Sequence, residues 1–249
     1  MDYITFGKGT KPLIMIQGLS TTGIKGLGFF ISIMYRHFAK EYKVYLFERR
    51  DRLWEGITIE DFAKDLATAM DAFEIKKAHI IGVSQGGMIA QYLAINRPDL
   101  VDKLILVVTL SRNNSTIQAV IKNWITLVEQ NDIKRFVADM TRKMYSDKYF
   151  KRYKCLIPLL TILQKKKNLQ RFIILAESCL TCNTYDHLKS IKSPVFVIGA
   201  GKDQIVTGEA SEEIAKQLNC KILMYENAGH AVHQECKDFN QRIYDFLKE

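Results

Sequence analysis

The 249-residue chain has only four prolines and five histidines, and no apolar run reaches the roughly 18 residues that a membrane-spanning helix requires. Its first residues, Met1-Asp2-Tyr3-Ile4-Thr5, lack the basic stretch and apolar core of a secretory leader, so the sequence reads as cytoplasmic and without a membrane partner. Five cysteines, at 155, 179, 182, 220 and 236, are odd in number and scattered, which argues against a disulfide framework in a chain of this length. Cys179 and Cys182 have CxxC spacing. No second CxxC, histidine pair or βαβ redox pattern accompanies them, so they read as incidental buried thiols. Internal repeats, low-complexity tracts, flexible linkers and nucleic-acid-binding motifs are absent as well.

The composition is that of a folded chain able to bury one large core: 47% hydrophobic and 25% charged residues. The formal net charge of +9 is localised. Residues 112–171 hold 14 Lys/Arg against four Asp/Glu, and the remainder holds 22 against 23.

Short apolar runs alternate with helical periodicity over the first hundred residues, the pattern of a mostly parallel α/β sheet. The runs are Leu13–Ile16, Val44–Phe47, Ala78–Val83 and Leu104–Val108. Helical spacing joins Ile59 to Phe73, and a second helix is expected from Gln85 to Asn96, ended by Arg97-Pro98. From about Ser115 to Leu180 no strand is expected. Ile117, Val120, Ile121, Trp124 and Val128 form one helical stripe, and Ile133, Phe136, Val137, Met140 and Met144 another, with Asp132 placed to cap the second. Pro158 should kink or divide the helical segment around it. Strand runs return at Val195–Ile198 and Lys221–Tyr225, and a last amphipathic helix carries Phe239, Ile243, Phe246 and Leu247. The expected organisation is a core domain from residues 1–110 and 186–249, interrupted by an all-helical insertion at 111–185.

Gly82-Val83-Ser84-Gln85-Gly86 falls between an expected strand and an expected helix. A serine on such a turn projects its hydroxyl from the end of the sheet, and the following helix start aims free amides at developing negative charge. A serine needs a base. His230 follows the last strand at the end of the sheet where Ser84 also lies. His79 reads as a packed strand residue, His37 as part of an early helix, His187 as part of a polar connection, and His233 as a helix-surface or substrate-pocket residue. Asp203, after the strand Val195–Ile198, is the matching carboxylate, and the chain order serine, acid, histidine fits a nucleophile-elbow hydrolase. The amide of Gln85 and that of Leu19, in the loop after the first long strand, are the candidate oxyanion donors.

Over nearly its full length the chain resembles the capped, serine-dependent α/β-hydrolase superfamily. Ile81–Ala90 carries its nucleophile region, and Leu188-Lys189-Ser190-Ile191-Lys192-Ser193-Pro194-Val195 is similar to its return from the helical cap into the sheet. The resemblance implies an α/β-hydrolase fold with a helical lid, no metal or organic cofactor, and ester or related acyl substrates. Two departures stand out. Gln17 occupies the place of a common His before Gly18, and Glu48-Arg49-Arg50-Asp51-Arg52-Leu53-Trp54-Glu55-Gly56 replaces a glycine-rich Asp-x-Arg-Gly loop. Haloalkane dehalogenase and epoxide hydrolase relatives carry Asp where Ser84 stands. The leading expectation is ester hydrolysis through an acyl-enzyme on Ser84. Carbon–carbon bond hydrolysis, acyl transfer and a ligand receptor on the same fold are the alternatives. The basic run through the insertion reads either as a solvated surface or as a lid that draws in an anionic or carrier-protein-bound acyl substrate, as in esterases this chain resembles.

Overall fold

The computed structural model describes residues 1–164 and 166–249; Lys165 and the side chains of Lys166 and Lys167, part of the basic run, lie outside the described residues. Among the described residues seven strands form one sheet: β1 Tyr3–Phe6, β2 Lys11–Ile16, β3 Tyr42–Phe47, β4 Ala78–Val83, β5 Val101–Val107, β6 Val195–Ala200 and β7 Lys221–Tyr225. Their order across the sheet is β1-β3-β2-β4-β5-β6-β7. All neighbours are parallel except β1, which runs antiparallel to β3. The expected strands are all present. β1 is an addition, and its four residues alternate between exposed and half-buried on the sheet edge. So short an edge strand buries no residue fully and carries no apolar run to betray it.

Successive strand residues point to opposite faces, and the two faces build two cores. Ile14, Ile16, Ile80, Leu104 and Val197 face one side. They pack against α2 (Ile59–Ala72), α3 (Gln85–Asn96) and α9 (Gly208–Leu218). Leu13, Met15, Ile81, Ile105 and Ile198 face the other, against Ile31 of α1 (Gly28–Met34) and Phe239, Ile243 and Phe246 of α11 (Phe239–Lys248). Because both faces are covered, the central strands read as continuous apolar runs rather than alternating ones. α1 ends at Met34, so His37 sits in the turns after it rather than on a helix. There its ring meets Tyr244 edge-on at 4.8 Å.

Between β5 and β6 the chain is helical: α4 Ser115–Glu129, α5 Ile133–Met144, α6 Asp147–Tyr153, α7 Ile157–Ile162 and α8 Lys166–Cys179. Asp132 caps α5 by accepting from the Arg135 amide at 3.2 Å, and Pro158 stands in the first turn of α7, where its missing N–H costs nothing. Trp124, Phe136 and Phe172 tie α4, α5 and α8 together, with the two Phe rings 5.0 Å apart. The chain leaves and returns at one place, where Thr184 donates its amide to Ser111 at 2.7 Å. No helix among the described residues is long and apolar enough to cross a membrane.

Candidate active site

Ser84 follows β4 directly and caps the start of α3, with φ 54° and ψ −121°. A non-glycine residue seldom adopts that conformation; it is held by neighbours that leave no alternative. The Ser84 amide donates to Val107 at 2.9 Å, and Thr109 Oγ1 donates to the Ser84 carbonyl at 2.8 Å. A Cβ on Gly86 would stand 2.0 Å from the Ile16 carbonyl oxygen, so only glycine lets the elbow lie against the end of β2. A Cβ on Gly18 would meet the Ser84 Cβ at 3.1 Å, which puts the loop after β2 beside the serine.

Asp203 and His230 come from the loops after β6 and β7, at the same end of the sheet as Ser84. His230 Nδ1 and Asp203 Oδ2 are 2.7 Å apart, and the Asp203 side chain is almost wholly buried. The other carboxylate oxygen of Asp203 accepts from the amides of Ile205 at 2.8 Å and Val206 at 3.1 Å. With Asp203 acting as acceptor, Nδ1 carries the proton and Nε2 is left with a free lone pair. Ser84 and His230 line one cavity of about 290 Å³, together with Gly18, Leu19 and His233. The rest of its wall is mostly apolar, from Leu27, Phe30, Ile31 and Met34 of the α1 region to Phe239 and Ile243. Ser84 lines this cavity, and among the described residues its Oγ hydrogen-bonds to no protein group, His230 Nε2 included.

A family of proteins described as having the alpha/beta hydrolase fold matches residues 11–235. The chain belongs to the α/β-hydrolase fold family. One similar protein is "Putative carbamate hydrolase RutD" of Caulobacter segnis, 26% identical over 195 residues, covering 77% of this chain and 73% of that one. Another is the 2-hydroxy-6-oxononadienedioate/2-hydroxy-6-oxononatrienedioate hydrolase of Paraburkholderia xenovorans, 25% identical over 262 residues, with 99% and 90% covered. Among solved structures, MGS-M2, an alpha/beta hydrolase enzyme from a deep-sea metagenome library, superposes with a TM-score of 0.87 at 19% identity, covering 100% of this chain and 94% of that one. The chain is a hydrolase of this fold.

Within the hydrolase frame, the two departures from the family pattern turn out to be one network. Glu48 accepts from the amides of Ile24 at 2.9 Å and Arg49 at 2.8 Å, and from Gln17 Nε2 at 3.3 Å. Arg49 Nη2 donates to the Gln17 carbonyl and, at 2.9 Å, to Gln85 Oε1. Gln85 Nε2 in turn donates to the Leu175 carbonyl of α8 at 2.7 Å. Arg171, also on α8, clamps the Arg49 and Arg50 carbonyls at 3.1 and 2.8 Å. Burial pushes the Arg49 guanidinium down to about 10, partly offset by Glu48, so it stays charged at neutral pH. The sequence signalled Glu48 and Arg49 only as departures, and nothing in the spacing pointed to Arg171.

Of the remaining candidates, His233 alone lines the cavity of Ser84 among the described residues. His79 is buried in β4, with Asp102 at 3.3 Å, and burial lowers its pKa. His187 lies in a 3-10 turn. His233, on the short helix α10 (Val232–Glu235), does line the cavity, and burial first, then the neighbouring His230, pushes it down to about 4. Cys179 and Cys182 are free, buried thiols whose desolvation pushes each up to about 12, which disfavours thiolate chemistry. No group of three or more His, Cys, Asp or Glu side chains suited to a metal ion occurs among the described residues.

Proposed function

We propose that the chain is a serine hydrolase cleaving the carboxylic ester of an apolar acyl group, with Ser84 as nucleophile, His230 as general base and Asp203 holding the histidine. The observation that carries this reading is the shared cavity wall: Ser84 and His230 line it together, and His230 is fastened from behind to a buried carboxylate. Ser84 Oγ adds to the ester carbonyl carbon as its proton passes to His230 Nε2. The oxyanion so formed accepts from the amides of Gln85 and Leu19. Gln85 is the first residue of α3, so its N–H has no partner within the helix. The carbon–oxygen bond then breaks, and His230 returns the proton to the leaving alcohol. Water repeats the sequence on the acyl-serine, His230 again taking the proton, and the acid departs with Ser84 restored. The helices α4 to α8 act as the cap over this site.

Cavity chemistry narrows the substrate. Among the described residues no Lys or Arg lines it, so a carboxylate on the acyl group would be desolvated without a partner. The relative named for a dioate is therefore a poor guide to this pocket. Carbon–carbon hydrolysis and acyl transfer would use the same three side chains, but no cavity residue favours either. Fluorophosphonate labelling, followed by steady-state turnover of a short p-nitrophenyl ester, tests the proposal. Labelling that persists in Ser84→Ala refutes the nucleophile. A single burst of less than one equivalent with no turnover points instead to a ligand receptor.

A further inference from the structure

Two apolar strips lie open on the protein. On α1 and the residue before it, Leu27, Phe29, Phe30 and Ile33 are exposed, Phe29 to 82%, and Leu27 and Phe30 are also part of the cavity wall. On the insertion, Leu156, Leu159, Leu160, Ile162 and Leu163 are exposed within eight residues, Ile162 to 79%, and α7 buries no residue fully. α7 packs against α5, and Met144 at the end of α5 lines the same cavity. Both strips belong to segments that leave the C-terminal end of the sheet, α1 after β2 and the insertion after β5.

Each strip is flanked by cations. Lys148, Lys151, Arg152 and Lys154 are exposed just before the second, and none forms an ion pair among the described residues. Lys25 and Arg36 bracket the first in the same way. From Lys148 to Ala176 the sequence contains no Asp or Glu. Protruding leucine, isoleucine and phenylalanine beside unpaired Lys and Arg are the chemistry of a surface that meets anionic headgroups and the acyl boundary beneath them. We propose that the α1 and α7 strips dock the protein on an anionic lipid surface, with the cavity mouth toward it. Protein–protein interfaces are depleted in lysine, whereas the charge beside these strips is mostly lysine, at Lys25, Lys148, Lys151 and Lys154, which favours anionic headgroups over a protein partner. That the surface also delivers an apolar ester to Ser84 rests on the acyl-hydrolase reading; the docking does not.

Co-sedimentation with phosphatidylcholine vesicles, with or without about one third phosphatidylserine, tests this at low and high salt. The comparison is with the triple variant Leu159→Ser, Ile162→Ser and Phe29→Ser, whose sites are exposed and outside the cavity wall. Expected is binding to the anionic vesicles that weakens with salt and falls at least about fivefold in the variant, while turnover of a soluble short ester is unchanged. Hydrolysis of a long-chain ester held in those vesicles should fall in step. Equal binding of variant and wild type, or no preference for the anionic vesicles, overturns the proposal. So does vesicle indifference combined with self-association, or capture of an acidic acyl-carrier protein, that the same variant abolishes. Vesicle binding with no turnover of any ester would leave the docking surface standing and remove the hydrolase reading alone.

Discussion

Arg49 joins the two segments that supply the proposed oxyanion donors: its Nη2 donates to Gln85 Oε1 at 2.9 Å and to the Gln17 carbonyl in the loop that carries Leu19. Two backbone amides on separate loops stabilise an oxyanion only if their spacing is set beforehand. Among the described residues Arg49 bridges both loops through one guanidinium, and Arg171 holds its carbonyl from α8.

Replacing Arg49 with Met should therefore lower kcat by roughly one to two orders of magnitude with little change in KM, the mark of an interaction realised in the transition state. The fold should also weaken by roughly 2 kcal/mol, because the Gln17 carbonyl and Gln85 Oε1 would lose a buried, charged donor. Steady-state kinetics with urea unfolding separates the two effects. An unchanged kcat in a folded Arg49→Met protein would show that the loops hold their spacing without it.

The strained backbone at Ser84 makes a second prediction, on stability. At φ 54° an alanine keeps the strain, whereas a glycine relieves it. Ser84→Gly should be more stable than Ser84→Ala by about 1 kcal/mol in chemical denaturation, and both should fail to take the fluorophosphonate label. Equal stabilities would mean that the elbow is relaxed rather than held.

Much of this site is legible in the residues because its chemistry is local. Gly82, Ser84 and Gly86 sit within one turn, and the steric need is equally local: a Cβ at Gly86 collides with the end of the neighbouring strand. His230 and Asp203 are legible because each comes after a strand run, and strands that are parallel bring those ends together. The Gln17–Glu48–Arg49–Gln85–Arg171 network has no such local signature. It spans several segments, and its members are ordinary polar residues until β2, β3, α3 and α8 are assembled. The strand β1 is silent in the sequence for another reason: it is short, half-exposed and at the edge.

The proposed base and its rival are separable by mutation. His230→Ala should reduce kcat/KM by several orders of magnitude, and Asp203→Asn on the order of 10⁴-fold, since an amide no longer fixes the Nδ1–H tautomer. His233→Asn should leave the rate within about tenfold, and leave unmoved the pH dependence of kcat/KM above pH 5, because His233 stays neutral there. A loss in His233→Asn as deep as that in His230→Ala would reassign the base.

His233 should instead report on stability in acid. Burial and the adjacent His230 hold it at about 4 in the folded protein, against an ordinary 6.5. Between those values the unfolded chain binds a proton that the folded chain refuses, so stability is present above 6.5 and drains away as pH falls toward 4. By linkage this one residue should remove about 2 kcal/mol between pH 7 and pH 5. Urea unfolding at both pH values, for wild type and His233→Asn, measures it. The variant should lose about 2 kcal/mol less over that interval. It should keep a residual slope, because buried His79 is also lowered by desolvation and destabilises the folded state with the same sign. Identical slopes in the two proteins would mean that His233 takes up its proton without cost, and that the cavity wall beside Ser84 is wet rather than apolar.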